Sequence, residues 1–390
     1  MISPAELRAL SVRQHEWGRF GPLRNFLARR IAGRPARPPD RAAFACTIVK
    51  LDRLGDFVLA TGAIGRLLEH FGAAHCALIT SFEVAALAAR EFPNVARHSL
   101  PNTARRLFRE IAPSHRAWQA ALAAFPSEHV VCLRHQRSLY RDLVLRAIPA
   151  RQRWWLENSP FSDRAILDLT PAAASYPLLC DPKTPTELAA HCALVGALLG
   201  QPVAPQEILP CLRQPAPGSG SLPIVVSPLG HDRIRDVPAA HLWPALLARS
   251  ELADAPIILA GSTAQHAQLA SFAAAAPAAL RARCTIAAGM PLDDWISLIG
   301  GARLVLSADS ASAHIATALD RPLVAWLGGG HPGVLAPWAR SAKQRWLQHP
   351  QPCYGCDWSC PYPEPHCLTG IGPDAVSAAI EAVTAGTPAP

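Results

Sequence analysis

Long apolar runs are missing from this sequence of 390 residues. No stretch of about 18 consecutive apolar residues occurs, so the sequence predicts no membrane-spanning helix. Residues 1–31 also lack the continuous apolar core of a secretory signal, because charged side chains such as Glu6, Arg13 and Arg24 interrupt them. We therefore expect a cytoplasmic protein.

Several recognition motifs are absent as well. The sequence has no Cys/His finger, no aromatic RNA-binding signature and no basic zipper helix, so nucleic acid is not an expected partner. It has no Walker phosphate loop and no Asp-x-Asp pair that would hold a metal ion and a diphosphate together. Any diphosphate chemistry is therefore expected to need no cofactor, with Arg side chains and helix termini carrying the negative charge.

The stretch "GGGHPG", residues 328–333, matches the dinucleotide fingerprint GxGxxG. Its context does not fit, because Pro332 and Pro337 interrupt the helix that it should open and no acidic residue follows at the position that holds a ribose. The sequence therefore does not support a nicotinamide enzyme.

Composition and charge fit a globular protein with anionic ligands. Half of the residues are hydrophobic and 17% are charged, with a formal net charge of +8. Lys and Arg are spread along the chain, which favours anionic small molecules or an anionic membrane surface as partners. The length predicts two domains.

Residues 1–42 form a basic N-terminal extension. Within it, residues 5–31 predict an amphipathic helix in which apolar positions alternate with arginines. Such a helix either lies on an anionic membrane or packs its apolar stripe on the protein body, and the sequence leaves both open. The Pro-rich stretch "GRPARPPDR" then predicts an extended linker.

From Phe44 onward, apolar strands alternate with helical patterns, which predicts a parallel sheet covered by helices. The series occurs twice, over residues 43–212 and 223–370, and the Pro-, Gly- and Ser-rich residues 213–222 are the expected linker. Residues 371–390 predict a closing helix and tail. Two such domains make a cleft, and ligands of these sheets bind at the carboxyl ends of the strands.

The first candidate loop lies in "VKLDRLGDFVLATGAIGRLLEHF", residues 49–71, where Asp56 separates an apolar strand from an apolar helix. Asp56 is either the N-cap of that helix or a general base that faces the cleft. The two roles are compatible with each other.

The second candidate loop is "SPLGHDRIRDVP", residues 227–238, after the first strand of the second domain. His231, Arg233 and Arg235 are placed to meet phosphate oxygens, because the planar guanidinium bonds two oxygens together. The alternative is an ordinary solvated basic loop.

The third candidate loop is "SADSASAHIATALDRPLVAWLGGG", residues 307–330. A strand ends at Asp309, the small residues Ser310 and Ala311 follow, His314 lies one turn into a helix, and the next strand leads to Gly328. Small residues let a ligand approach the backbone, and free N–H groups at a helix start attract a pyrophosphate. His314 taken alone is more often a structural histidine.

A cysteine cluster, "CYGCDWSCPYPEPHC", covers residues 353–367 and contains Cys353, Cys356, Cys360 and Cys367. Four thiolates at this spacing suit tetrahedral zinc or iron. The alternative is a tight Pro-rich loop with reduced or partly disulfide-linked cysteines.

The three loops, in this order, resemble glycosyltransferase family 9, whose best-known members are ADP-heptose:lipopolysaccharide heptosyltransferases. The segments that carry the resemblance are "LDRLGDFVLATGAIGRLLEHF", "SPLGHDRIRDVPAAHLWPALL" and "LIGGARLVLSADSASAHIATALDRPLVAWLGG". The resemblance covers roughly residues 44–385. It implies an α/β fold of GT-B architecture, with two Rossmann-like domains whose parallel sheets face a central cleft.

The resemblance also implies roles for single residues. Asp56 matches the catalytic base of an inverting transfer, and Asp309 and His314 match donor-binding positions of the family's Asp-Ser-Gly-x-x-His motif. Ala311 stands where this motif usually has glycine, and Arg235 stands where the family usually has a lysine that contacts donor phosphate.

The implied substrates are a nucleotide-diphosphate sugar, ADP-heptose or similar, and a lipopolysaccharide or other lipid-linked surface glycan. The acceptor is expected on the first domain, and the enzyme is expected to be peripheral on the inner face of the cytoplasmic membrane. The alternative is a non-catalytic relative that binds a sugar nucleotide or a glycan.

Overall fold

The computed structural model describes residues 36–101, 112–134, 139–157, 174–179, 186–215, 222–356 and 358–385. The chain divides into two compact units between Pro210 and Cys211. The predicted N-terminal helix over residues 5–31 lies outside the described residues, and so do residues 216–221 of the predicted linker.

The first unit begins with an irregular segment. The backbone N–H of Ala36 donates to the carbonyl of Arg146 at 2.8 Å, and Arg151 donates to the carbonyls of Pro39 and Asp40. The described end of the predicted extended linker is therefore bound along the first unit.

Strands and helices alternate through the first unit, as the apolar pattern predicts. They are β1 (Phe44–Lys50), α1 (Leu54–Phe71), β2 (Cys76–Ser81), α2 (Ala85–Glu91), β3 (Ala96–Leu100), α3 (Ala112–Ala123), β4 (Ser127–Cys132), α4 (Leu139–Ala147), β5 (Ala150–Glu157), β6 (Ala174–Leu179) and α5 (Glu187–Leu199).

All neighbouring strands of this unit pair in parallel, in the order β3-β2-β1-β4-β5-β6. Parallel sheets need helices on their faces, and the central strands β1 and β2 are accordingly buried over most of their length. A core cluster of this unit includes Val49, Leu51, Ile79, Leu122, Val130, Leu143, Val144 and Trp155.

The second unit repeats this plan. Its elements are β7 (Ile224–Ser227), α6 (Ala239–Leu247), β8 (Ile257–Gly261), α7 (His266–Ala274), α8 (Ala278–Arg281), β9 (Cys284–Ala288), α9 (Leu292–Gly300), β10 (Leu304–Ala308), α10 (Ala311–Ala318), β11 (Leu323–Trp326), β12 (Gln344–Leu347), α11 (His366–Thr369) and α12 (Pro373–Thr384).

The second sheet is also parallel, in the order β12-β11-β10-β7-β8-β9. The predicted closing helix is α12, whose Val376, Ile380 and Val383 are buried in the core of this unit. A core cluster of this unit includes Val226, Leu242, Trp243, Ile257, Leu259, Leu306 and Trp326.

The sheet of the first unit is larger than the apolar pattern indicates, and β5 shows why. Its sequence, "ARQRWWLE", contains charged residues, yet Arg153 is only 1% exposed. The guanidinium of Arg153 donates to the carbonyls of Leu145 and Ile148 at 2.9 and 2.8 Å. Because these carbonyls lie at and beyond the end of α4, a buried cation there completes the helix terminus.

None of the helices in the described ranges is both long enough and apolar enough to span a bilayer.

The first candidate loop lies at the start of helix α1. Further along, α1 packs closely on the backbone of Ile208, shortly before the second unit begins. A Cβ atom built on Gly62 would lie 2.1 Å from the carbonyl oxygen of Ile208. Gly65, three residues further along the same helix, has nothing within 4 Å of such an atom. The close packing of α1 on this backbone therefore requires glycine at position 62, because any side chain there would clash with Ile208.

We predict that Gly62→Ala lowers the free energy of unfolding by about 1 to 3 kcal/mol, because α1 must move away from the backbone of Ile208. The matched control Gly65→Ala should be neutral or stabilise by up to about 1 kcal/mol, since alanine favours the helix. Chemical denaturation of both variants measures this difference. Equal stabilities would contradict the close packing of α1.

Candidate active site

The sheet topology fixes where a ligand can bind in each unit. The connections from β1 and β4 leave in opposite directions, and so do those from β7 and β10. At such a switch point a crevice opens at the carboxyl ends of the strands, and ligands bind there. Asp56 follows β1, Arg235 follows β7, and Asp309 follows β10, so all three predicted residues lie at switch points.

Asp56 lies in the first turn of α1 and is half-buried. The N-cap residue is Arg53, so the N-cap interpretation of Asp56 is wrong in position. The carboxylate of Asp56 instead accepts a hydrogen bond from the backbone N–H of Arg53, as the acidic residue of a capping box does. Asp56 thus favours the start of α1 from its third position.

A buried ionic cluster lies beside Asp56 and is built around Lys50, the last residue of β1. The ammonium of Lys50 donates to the carbonyl of Leu133 at 2.7 Å, contacts Glu187 Oε1, and lies 3.1 Å from Asp52 Oδ2. The side chains of Lys50, Asp52 and Glu187 are almost fully buried. Buried charges are stable only when paired in this way.

Two arginines complete the ionic cluster from the β4 side of the sheet. Arg141 on α4 lies 2.6 Å from Asp52 Oδ1 and donates to the carbonyl of Leu51 at 2.8 Å. Arg134, just after β4, also pairs with Asp52. Ion pairs therefore connect the two loops that meet at the first switch point, one after β1 and one after β4.

The surroundings of Asp56 change its proton affinity. Burial, and after it the negative charge of Glu187, together raise the pKa of Asp56 from 3.8 to about 6. The positive charges of Lys50 and Arg141 and the Arg53 N–H oppose this rise. A carboxylate with this pKa is still ionised at neutral pH and takes a proton more readily than an ordinary aspartate.

In the second unit, the loop between β7 and α6 places its cationic side chains differently. His231 and Arg233 are exposed, whereas Arg235 is half-buried. The carboxylate of Asp236 closes the loop by accepting the N–H of Gly230 at 2.9 Å. A Cβ atom built on Gly230 would lie 2.3 Å from Cβ of Arg235. Glycine at position 230 therefore leaves the space that the Arg235 side chain occupies.

Arg235 approaches the end of β10. Burial raises the pKa of Asp309, while the charges of Arg235 and His331 lower it. These three side chains are therefore close enough to interact, although they come from three separate loops. His331 was not among the residues predicted from the sequence.

Helix α10 begins beside Asp309. Ser310 is its N-cap residue, and Ala311 is its first helical residue. The hydroxyl of Ser312 donates to that of Ser227 at 2.9 Å, which fixes the helix start to the end of β7. The N-terminal N–H groups of α10 therefore open at the second switch point, where they attract a negative charge.

His314 is buried in α10, and its ring stacks on Trp338 at a centroid distance of 6.1 Å. The indole N–H of Trp338 donates to Nδ1 of His314 at 3.0 Å. Because Nδ1 accepts this bond, the imidazole is neutral and carries its proton on Nε2. His314 is thus oriented as a neutral hydrogen-bond donor.

The three glycines after β11 provide space for aromatic side chains of the chain itself. Cβ atoms built on Gly328 and Gly330 would lie 2.8 and 2.3 Å from atoms of Trp358, and one on Gly329 would lie 2.3 Å from Tyr354. Trp358 therefore covers the side of Gly328 on which a side chain would stand. A direct donor contact of Gly328 stays a prediction.

Trp358 and Tyr354 belong to the cysteine cluster. All four cysteines are free thiols and line one small cavity of about 10 Å³ together with His366. Burial and the neighbouring thiols raise the pKa values of Cys353, Cys356 and Cys367. Among the described residues, however, no three His, Cys, Asp or Glu side chains are arranged to hold a metal ion.

The structure therefore groups the predicted residues in two places. Arg235, Asp309, Ser310, Ala311 and His314 belong to the second switch point, and Asp56 belongs to the first. Sequence reasoning missed two sets of partners: His331 and Trp358 in the second unit, and the ionic cluster in the first. A lysine at the end of an apolar strand was the available signal for that cluster.

We predict that the pKa of Asp56 makes wild-type stability depend on pH. A carboxyl pKa raised to about 6 means that the folded state binds the proton more tightly than the unfolded chain, so stability is lost as pH rises from about 4 to 6. The Asp56→Asn variant lacks this loss. Relative to wild type it should gain on the order of 2 kcal/mol between these pH values.

Denaturation at a series of pH values measures this difference. A difference between wild type and Asp56→Asn that stays flat across the range, or that changes in the opposite direction, would contradict the raised pKa.

Three solved structures show the fold to which this chain is similar. E. coli ADP-heptose lps heptosyltransferase II is 19% identical, covering 88% of this chain and 99% of its own, with a TM-score of 0.65. E. coli heptosyltransferase WaaC with ADP-2-deoxy-2-fluoro heptose is 16% identical, covering 86% and 99%, with a TM-score of 0.62.

The third is TibC from enterotoxigenic E. coli, an iron-containing dodecameric glycosyltransferase. It is 15% identical, covering 90% of this chain and 78% of its own, with a TM-score of 0.54. These similarities confirm the predicted α/β fold with two parallel-sheet, Rossmann-like units of the GT-B type. No curated protein matches the chain.

The family comparison matches part of the second unit. Residues 231–360 match the family model described as glycosyltransferase family 9 (heptosyltransferase). The matched range begins at His231 and contains every predicted donor-binding residue as well as Cys353, Cys356 and Cys360. The predicted resemblance to glycosyltransferase family 9 and the prediction of a glycosyltransferase are thereby confirmed, with the family match lying in residues 231–360.

Proposed function

We propose that this chain is an inverting glycosyltransferase that needs no metal ion for catalysis. Its donor is a nucleotide-diphosphate sugar, with heptose or a similar sugar, and its acceptor is a lipopolysaccharide or another cell-surface glycan. The observation that carries the proposal is Asp56, a half-buried carboxylate with a pKa of about 6 at the first switch point. A family 9 domain follows it in the same chain.

The second unit holds the donor in this proposal. Arg235 and the first N–H groups of α10 neutralise the diphosphate, which gains negative charge as the sugar–phosphate bond breaks. His314 donates a hydrogen bond from Nε2 to a donor oxygen, because its Nδ1 is occupied by Trp338. His231, which is exposed, meets a more peripheral part of the donor.

The first unit holds the acceptor and supplies the base. Asp56 takes the proton of the acceptor hydroxyl while that oxygen attacks the anomeric carbon from the face opposite the diphosphate. The new glycosidic bond forms as the bond to phosphate breaks, so the anomeric configuration is inverted. The solved WaaC structure contains an ADP-linked fluoro heptose, which supports ADP-heptose or a similar donor.

The acceptor chemistry suggests where the enzyme works. A lipid-linked glycan with anionic groups lies at the inner face of the cytoplasmic membrane, and a chain with a net charge of +8 is attracted to it. We propose a cytoplasmic protein that associates with this face, with the basic residues 1–42 contributing to the attraction.

We predict that Asp56→Asn lowers kcat/KM for sugar transfer by about 10²- to 10⁴-fold, as expected for loss of a general base. In wild type, kcat/KM should fall as pH drops below about 6, because protonated Asp56 cannot accept a proton. The matched control is Glu69→Gln, an exposed carboxylate further along α1, which should change neither quantity.

Transfer is measured by mass spectrometry of the acceptor with a panel of nucleotide-diphosphate sugars. Near-wild-type turnover of Asp56→Asn, or a rate that stays constant down to pH 4, would rule out Asp56 as the base. Nucleotide binding by the wild type without turnover of any donor would favour the alternative, a non-catalytic sugar-nucleotide-binding relative.

We also propose the cysteine cluster as a place for a structural zinc or iron ion with no part in catalysis. The four free thiols that line one cavity support this, and the TibC structure is iron-containing. As arranged in the described residues they do not form a metal site, so the thiols would have to move closer together.

We predict about one zinc or iron ion per chain in protein purified without oxygen, with the content reduced in Cys356→Ser. The matched control is Cys46→Ser, a buried thiol of the first unit, which should retain the ion. Elemental analysis measures both. Folded wild-type protein without metal would overturn the proposal.

A further inference from the structure

The side chain of Trp358 lies in contact with the candidate donor site, although it belongs to the cysteine cluster. The guanidinium carbon of Arg235 lies 3.6 Å from the centre of the Trp358 ring. This is a cation–π contact at short range, in which the face of the indole attracts the cation. Trp358 is half-buried, so water weakens this attraction less than it does at an exposed site.

The backbone around Trp358 is built to hold the ring in this place. Trp358 has a φ angle of 61°, a left-handed conformation that a bulky residue adopts only under constraint. Gly328 and Gly330 have no side chains where its indole packs. Such strained residues cluster at binding sites, where the surrounding structure fixes them.

Hydrogen bonds join the loop that carries Trp358 to Gly329, which follows β11. The N–H of Gly355 donates to the carbonyl of Gly329 at 2.8 Å, and the N–H of Gly329 lies 3.5 Å from Sγ of Cys367. The ring of His331 lies 6.2 Å from that of Trp358. Trp358 therefore lies beside Arg235 and His331, the two side chains whose charges lower the pKa of Asp309.

We infer that Trp358 is a positioning residue that holds the Arg235 guanidinium in the orientation required for the diphosphate of a nucleotide. The indole face fixes the plane of the guanidinium, and its N–H groups then point along that plane toward phosphate oxygens. A free arginine side chain would lose rotamer freedom on binding, whereas the stacked one is already ordered. The inference rests on the proposed function in taking a nucleoside diphosphate as the ligand.

The inference predicts a specific pattern of affinity. Trp358→Leu keeps an apolar side chain but removes the aromatic face, so it should weaken nucleoside diphosphate binding by about 3- to 30-fold. Trp358→Phe keeps an aromatic face and should lose less. Binding of the nucleoside without phosphates should not change, because Arg235 contacts only the phosphates. If Trp358 only stabilised the loop, its substitution would lower the affinity for the nucleoside and for the diphosphate alike.

The test is calorimetric titration of the full chain with ADP, GDP and UDP and with the matching nucleosides by competition. The variants are Trp358→Leu, Trp358→Phe and Arg235→Ala, together with each Trp358 variant combined with Arg235→Ala. Tyr362→Leu is the control for an exposed aromatic in the same loop, and Arg281→Ala is the control for an exposed arginine elsewhere in the second unit. Both controls should bind as wild type does.

In the Arg235→Ala background, a Trp358 substitution should cause no further loss, because the group that it positions is gone. A loss that persists in that background, equal losses for nucleoside and diphosphate, or wild-type affinity of Trp358→Leu would overturn the inference. If Trp358→Leu does not fold, Trp358→Phe and its combination with Arg235→Ala give the same comparison.

The outcomes separate this inference from the proposed function. Wild-type protein that binds a diphosphate but transfers no sugar contradicts the function alone, and the affinity pattern still tests Trp358. Wild-type protein that binds none of the three diphosphates contradicts both.

Discussion

Each sheet reverses its direction of strand addition at one point, and that reversal determines where chemistry can occur in this protein. Between β1 and β4, and again between β7 and β10, the connecting chains leave in opposite directions. The carboxyl ends of these strands remain accessible, while helices cover the faces of the sheets. Loops that follow these strands can therefore carry polar side chains without disturbing the core, and the candidate residues lie on them.

The two switch points differ in how their charged side chains are arranged. At the first, Lys50, Asp52 and Glu187 are buried and paired with one another, so Asp56 experiences charges of both signs and burial determines its raised pKa. At the second, the Arg235 side chain and the N-terminus of α10 carry positive charge. In the proposed function, the first switch point supplies a base and the second an anion site, which are the two requirements of transfer from a diphosphate leaving group.

The sequence predicted what local patterns determine and missed what distant residues determine. Apolar periodicity placed β1, β10 and α12, and the polar loops placed Asp56, Asp309 and Arg235 after the ends of strands. Local sequence patterns could not reveal that Lys50 pairs with Glu187, 137 residues away, or that Trp358 lies over Arg235. Strand β5 was missed because buried Arg153 resembles a surface residue until its carbonyl partners are seen.

We propose that this chain adds one sugar to a surface glycan with Asp56 as the base. The most direct measurement is mass spectrometry of surface glycans from cells that contain or lack the protein. Cells without it should lose one sugar and everything attached beyond it, and wild type but not Asp56→Asn should restore these sugars. Identical glycans in both cells, or full restoration by Asp56→Asn, would contradict it.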